Sequence, residues 1–228
     1  MKYFIFSIDD GTVFDEKVID IFSRHHIKAT FNLNSGLSDF VWYLGERPIE
    51  RINLKKKADI YKDFDIASHS LTHPHLTQCS GEHIVYEVGQ DVDNLEQIFN
   101  RKIVTFAFPF EDFDERCIDT IKYIRNIELI RVSEIDTSFK FPNDGYHIKI
   151  TSLDVEDALR RVKDFINDEE AELFTFVSHG YDFEVNDTYD KLEELCCLLK
   201  EEKSIKIITM SELKDIFKKW GFLYEIIN

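Results

Sequence analysis

Glycine and proline are scarce, 8 and 4 in 228 residues, which argues against long disordered stretches. Cysteine is scarce too. Cys79, Cys117, Cys196 and Cys197 show no C-x-x-C spacing, so the expected state is reduced, packed thiols in a cytoplasmic protein. Basic residues are outnumbered, 28 Lys and Arg against 44 Asp and Glu. The formal charge of −16 argues against a nucleic-acid backbone or an anionic membrane face as partner, and the acidity reads as solubility. No run approaches the roughly 20 apolar residues of a membrane span. Residues 3–8 are too short for a signal-peptide core and lack a cleavage site, so a cytoplasmic location is expected.

What the chain has is apolar mass. Hydrophobic residues make up 43% and include 20 Phe, enough for one large core. With neither an internal repeat nor a linker, residues 1–228 read as a single domain. That length suits an α/β barrel, which runs to about 250 residues as one unit.

Apolar runs alternate with helical patterns. Residues 3–8, 27–33, 64–68, 103–108, 128–132, 147–150, 173–178 and 205–209 read as strands. Residues 13–26 carry a helical stripe at Val18, Ile19, Ile21 and Phe22, and residues 82–100 one that includes Ile84, Val88, Val92 and Leu95. Residues 114–125, 154–167, 188–203 and 211–220 also read as helices, and 55–63 as a short helix entered through Asn53. Segment 39–63 is otherwise without a clear pattern. Such alternation predicts a parallel sheet with outer helices, open or closed into a barrel, with its ligand site at the carboxyl ends of the strands.

The chemistry-bearing residues gather at those ends. Asp9 and Asp10 close the first strand, His69 follows 64–68, Pro109-Phe110 follow 103–108, and His179 follows 173–178. If the strands are parallel, all four clusters meet at one mouth. His69 and His73, four positions apart, join one carboxylate as donors for a divalent metal, and the second carboxylate is left for proton chemistry. Separately the motifs are weak. Asp-Asp-Gly is a common turn, and paired histidines also occur as solvated or core residues.

These residues resemble the polysaccharide deacetylase family, carbohydrate esterase family 4. Its T-F-D-D-G motif appears as Ser7-Ile8-Asp9-Asp10-Gly11, and its H-[ST]-x-x-H motif as His69-Ser70-Leu71-Thr72-His73. Its third motif corresponds to Ala107-Phe108-Pro109-Phe110-Glu111, and its last to Phe176-Val177-Ser178-His179-Gly180. The resemblance implies a distorted (β/α) barrel of mostly parallel strands with outer helices. Asp10, His69 and His73 would bind a divalent ion, zinc first, with cobalt, nickel or manganese as alternatives. Asp9 would be the general base and His179 the general acid. The backbone N–H of Phe110 would make a second oxyanion contact. Pro109, Phe110 and Tyr181 would line the substrate site.

The chain departs from the family pattern in three places. The arginine that holds the base aspartate in many members is Ala107 here. Arg131, at the end of another expected strand, is a candidate replacement, although a surface or structural ion pair is the reading we favour for it. Glu111 replaces the usual glycine, reshaping the groove and adding a carboxylate. No fourth motif, the aspartate–tryptophan pair that orients the catalytic histidine, is found.

The remaining histidines read as structural or solvated: His75, His25-His26 at a helix end, His83 and His147. Lys55-Lys56-Lys57 reads as a solvated helix face. Trp42, Tyr43 and Tyr181 are candidates for stacking on a sugar, with core or rim packing an equal reading for Trp42. The expected function is metal-dependent removal of an N-acyl group, acetyl first, from an amino sugar or a surface-polysaccharide precursor. The alternatives are hydrolysis of a small non-sugar amide and a silent carbohydrate-binding domain. Oligomeric state is not legible.

Overall fold

The computed structural model describes residues 1–220 apart from Glu111 and Arg125. In chain order they form β1 (Lys2–Asp10), α1 (Asp15–Arg24), β2 (Thr30–Leu33), β3 (Val41–Leu44), β4 (Arg47–Glu50), α2 (Leu54–Lys57), β5 (Asp65–Ser68), α3 (Gly81–Phe99) and β6 (Thr105–Ala107). There follow α4 (Glu115–Ile121), β7 (Leu129–Ile135), β8 (Ile148–Ile150), α5 (Val155–Asn167), β9 (Leu173–His179), α6 (Gly180–Val185), α7 (Tyr189–Glu201), β10 (Ile205–Ile207) and α8 (Met210–Trp220).

β1 organises the sheet. One of its edges pairs with β9 along residues 3–9, and the other pairs first with β10 and then with β2. From β2 the parallel order runs through β5, β6 and β7 to β8. A bridge from Ser152 to Phe176 returns the ring to β9. The result is a nearly closed barrel of parallel strands with helices around it, the expected fold.

Period-two alternation decides what each strand shows to the barrel interior. Phe4, Phe6 and Ile8 of β1 and Phe174 and Phe176 of β9 join the layer that also holds Val18, Ile21 and Phe22 of α1. Ile5, Leu129, Ile148 and Leu173 instead cluster with Met210, Leu213 and Phe217 of α8. Helix α8 therefore plugs the amino-terminal end of the barrel. Asp65 holds it there, accepting from the backbone N–H (3.1 Å) and hydroxyl (2.6 Å) of Ser211. With that end filled by apolar residues, the interior-facing Asp9, Arg131 and His179 lie at the opposite, carboxyl end.

Segment 39–63 resolves into a hairpin and a short helix. Leu44 pairs with Arg47 across a two-residue turn, and Gly45 supplies its positive φ of 64°. Exposed Val41, Tyr43 and Leu44 mask the alternation that would have revealed β3. The helix expected over 55–63 is α2 followed by a 3-10 turn at Ala58–Tyr61. Asn53 caps it, its side chain accepting from the N–H of Lys56 at 3.1 Å. The helix expected over 114–125 is shorter, α4 ending at Ile121 and passing into a turn over 122–124, while its expected last residue, Arg125, and the groove effect expected of Glu111 lie outside the described residues.

Candidate metal centre and active site

The end of β1 turns through the left-handed region at Asp10, which sets the direction of that carboxylate. Asp10 has a φ of 85° and Gly11 one of 66°. Ser70, His73 and Phe110, in the other motif loops, also take positive φ. Asp10 Oδ1 lies 3.3 Å from Nε2 of His73 and 3.7 Å from Nε2 of His69. Donor atoms about 2.1 Å from a tetrahedral ion lie about 3.4 Å apart, so these separations fit one divalent cation. One donor atom from each of the three residues lies within 4.8 Å of the others.

Protonation fits as well. Nδ1 of His69 lies 2.8 Å from the carbonyl of Ala107, to which it donates, and Nε2 is thereby left as a lone-pair donor facing Asp10. Burial, helped by the charges of His73 and Arg131, holds the pKa of His69 well below its ordinary value. Burial also lowers that of His73. Burial works against the charge of Asp10, but His179, Arg51, His73 and His69 together hold its carboxyl below the ordinary range. Its buried Oδ1 accepts no hydrogen bond, although it is ion-paired with the Arg51 guanidinium, and so keeps a lone pair for a cation.

Buried polar side chains hold this set in place. Arg51, just beyond β4, forms an ion pair with Asp10 Oδ1 at 2.9 Å and donates to the Asp10 carbonyl and to Oδ1 of Asn34 (2.7 Å). Asn34 in turn donates to the carbonyls of His69 and Ser70. Behind the histidine loop, buried Glu87 of α3 accepts from the N–H and hydroxyl of Thr72, both at 2.8 Å. One turn on, Asp91 accepts from Ser68 Oγ (2.6 Å) and the N–H of Ser35 (2.7 Å).

Asp9 takes no part in the donor set. Its Oδ1 accepts from Asn32 at 2.5 Å and its Oδ2 from Nη2 of Arg131 at 2.7 Å. Arg131 is 2% exposed and is the register partner of Ala107. The charge missing at 107 is thus delivered from the adjacent strand, and the surface or structural ion pair favoured from sequence gives way to a buried pair with Asp9.

His179 is the register partner of Asp9 across β1 and β9. Its Nδ1 donates to Oδ2 of Asp182 at 2.8 Å, and its backbone N–H donates to the same oxygen at 3.0 Å. Burial opposes the charge on His179. The hydrogen bond to Asp182 and the charges of Asp10, Asp182 and Asp9 outweigh it and push the pKa up to about 9. The group that orients this histidine therefore sits three residues downstream, on the first turn of α6. A side chain at Gly180 would overlap Asp15, so the chain can enter that turn only through glycine.

Around these groups opens a cleft of about 830 Å³. Phe110 and Tyr181 line it, while Pro109 is buried beside it and does not. The Phe110 ring meets His73 edge-on at 4.4 Å and stacks on His75 at 3.8 Å. His75 is a wall residue outside the donor set. Trp42 lines the cleft, whereas Tyr43, 68% exposed, does not.

The sequence reading missed Asn32, Asn34, Arg51, Glu87, Asp91 and Asp182. Asn32 and Asn34 carried a signal, alternating with Phe31 and Leu33 in an apolar strand. Glu87 and Asp91 carried another, as acids beside the apolar stripe of a helix. Arg51 carried none.

The barrel and its mouth define the class: an α/β barrel protein with an Asp-His-His set and two further titratable groups at the carboxyl ends of its strands. The polysaccharide deacetylase family model matches residues 1–125, more than half of the chain, and the chain belongs to that family. Protein YlxY of Bacillus subtilis is 28% identical over 120 residues, 52% of this chain and 34% of that protein, so the match spans about a third of the relative. A family 4 acetyl xylan esterase from Clostridium thermocellum, solved with a cobalt ion, superposes with a TM-score of 0.62 at 16% identity, covering 96% of this chain and 92% of that one. A family 4 pseudoenzyme from Bacillus anthracis superposes with a TM-score of 0.63 at 20% identity, covering 94% and 66%. Among the described residues no helix is long and apolar enough to cross a membrane.

Proposed function

We propose that the chain is a metal-dependent amidohydrolase that removes an N-acyl group, acetyl first, from an amino sugar, including a surface-polysaccharide precursor. The observation that carries this reading is the register pairing of Asp9 with His179 beside the Asp10-His69-His73 set. A purely binding site has no use for a held carboxylate and a raised-pKa imidazole side by side.

Asp10, His69 and His73 would hold the ion, zinc first, with cobalt, nickel and manganese compatible with the same donors. When bound, a divalent ion supplies Lewis-acid polarisation of the amide carbonyl and a water of lowered pKa. Asp9, fixed by Arg131 and Asn32, takes a proton from the water that attacks the carbonyl carbon. The N–H of Phe110 is the second contact assigned to the developing oxyanion. His179, protonated at neutral pH, gives its proton to the leaving nitrogen as the C–N bond breaks. The products are a carboxylate and a free amine. Tyr181, stacked on the His179 ring at 4.8 Å, offers an aromatic face to the sugar.

The loss of arginine at 107 favours a silent binding domain, as does the likeness to a pseudoenzyme. The Arg131–Asp9 pair removes the first of those supports. The test is acetate release by the zinc- or cobalt-loaded protein from acetamido sugars, set beside cyclic and linear non-sugar amides. Chelator-sensitive release from the sugars is expected. Turnover of non-sugar amides alone would overturn the substrate class, and an ion-loaded protein inert at every pH would establish the silent domain.

A further inference from the structure

Phe110 sits in the left-handed region, with a φ of 57°, although its side chain is bulky and 45% exposed. Such a residue stays there only where its surroundings hold it. Ser133 of β7 holds its backbone, the hydroxyl donating to the Phe110 carbonyl at 2.6 Å. Two imidazoles hold its ring. It meets His73 edge-on at 4.4 Å and lies flat against His75 at 3.8 Å, the two planes 9° apart. His73 belongs to the donor set, whereas His75 has no place in it.

His75 is itself held. Its Nδ1 donates to Oδ2 of Asp112 at 3.2 Å, and the same oxygen accepts from the hydroxyl of Thr77. Arg116 of α4 fixes this turn by donating to the carbonyls of Thr77 (2.9 Å) and Cys79 (3.0 Å). The stack therefore ties the segment after the histidine motif to the loop after β6. That loop carries the Phe110 N–H assigned to the developing oxyanion, which donates to no backbone carbonyl among the described residues. Were the φ of Phe110 to relax to a negative value, the peptide carrying that N–H would turn relative to the ring and the carbonyl. A displacement of about 1 Å in such a contact costs up to about a hundredfold in rate.

We propose that His75 is a positioning residue for the hydrolysis: its ring, stacked on Phe110, keeps the Phe110 N–H aimed at the oxyanion. This rests on the amidohydrolase reading and adds one residue to its machinery. The face of the ring is what matters, and the bond to Asp112 only sets that face in place.

The test separates the ring from its hydrogen bond. His75→Phe keeps a face to stack on and loses the donor to Asp112, whereas His75→Asn keeps a donor and loses the face. For the zinc-loaded proteins, kcat and KM are measured on N-acetylglucosamine oligomers, and zinc content and melting curves are taken on the same samples. In parallel, a methylphosphonamidate of glucosamine, a tetrahedral mimic with a charged oxygen, is titrated calorimetrically beside glucosamine itself, a binding readout that needs no turnover. In His75→Asn the expected result is a loss of about tenfold or more in kcat and in phosphonamidate affinity, with KM, zinc content and glucosamine binding within about twofold. His75→Phe should stay within about threefold of the unsubstituted chain in both assays. Equal losses in the two variants, a change confined to KM, or loss of zinc overturns the stacking assignment and leaves the amidohydrolase standing. Equal phosphonamidate binding in all three proteins overturns it whether or not any amide is hydrolysed. Phosphonamidate binding weakened in His75→Asn alone, without hydrolysis of any amide, keeps the stacking role and overturns the amidohydrolase reading.

Discussion

Arg131 reaches Asp9 from the strand next to the one that carries Ala107, placing Nη2 2.7 Å from Oδ2 with both side chains buried. Removing one member of such a pair leaves an uncompensated charge and costs about 3–5 kcal/mol. We expect Arg131→Gln to destabilise the fold by that order in urea denaturation and to lower kcat by about a hundredfold or more, because the base is no longer held. Ala107→Arg in the same background should recover part of the rate, since the two positions are register partners facing the same interior. Unchanged kinetics in Arg131→Gln would remove the arginine from the mechanism.

Asp182 holds the proton on His179. The pKa of about 9 depends on that hydrogen bond and on nearby carboxylates working against burial. In Asp182→Asn the imidazolium loses its partner, so it deprotonates at lower pH. The alkaline limb of the kcat profile should move down by about one to two pH units, with the loss of rate larger at pH 8.5 than at pH 7. A uniform loss at every pH would mean that Asp182 only shapes the loop.

Asp91 makes stability depend on pH. Burial, only partly offset by hydrogen bonds from Ser35 and Ser68, pushes its carboxyl up to about 7, whereas in the unfolded chain it titrates near about 3.9. A folded-state pKa raised in this way means that folding favours the protonated form. The contribution is complete below the unfolded value and is lost as pH rises through 7. Between pH 5 and pH 8 this amounts to about 2–3 kcal/mol. Urea denaturation of Asp91→Asn should therefore show a fall in stability over that interval smaller by this order than in the unsubstituted chain. Equal falls would show that Asp91 is ionised throughout.

Much of the barrel was legible because its strands are short apolar runs between strongly amphipathic helices. The convergence of Asp9, Asp10, His69 and His179 followed from their common position at strand ends. The hairpin was hidden because Val41, Tyr43 and Leu44 are apolar yet exposed, which breaks the rule that apolar residues mark buried faces. Arg131 was misjudged because its partner lies 122 residues away, and only the register of β6 against β7 shows that it replaces a side chain absent at 107. Asp182 carried no signal, since the first turn of α6, which returns its carboxylate to His179, leaves no periodic trace in six residues. Arg51 was invisible, because the hairpin that delivers it to Asp10 was invisible.

The central claim is that the Asp10-His69-His73 set and Asp9 have separate duties, the first holding an ion and the second moving a proton. The most direct measurement takes the Asp9→Asn variant and determines zinc stoichiometry and acetate release from N-acetylglucosamine oligomers on the same sample. We expect close to one ion per chain, as in the unsubstituted protein, with turnover reduced by about a hundredfold or more. Retained turnover with the ion in place would contradict that claim.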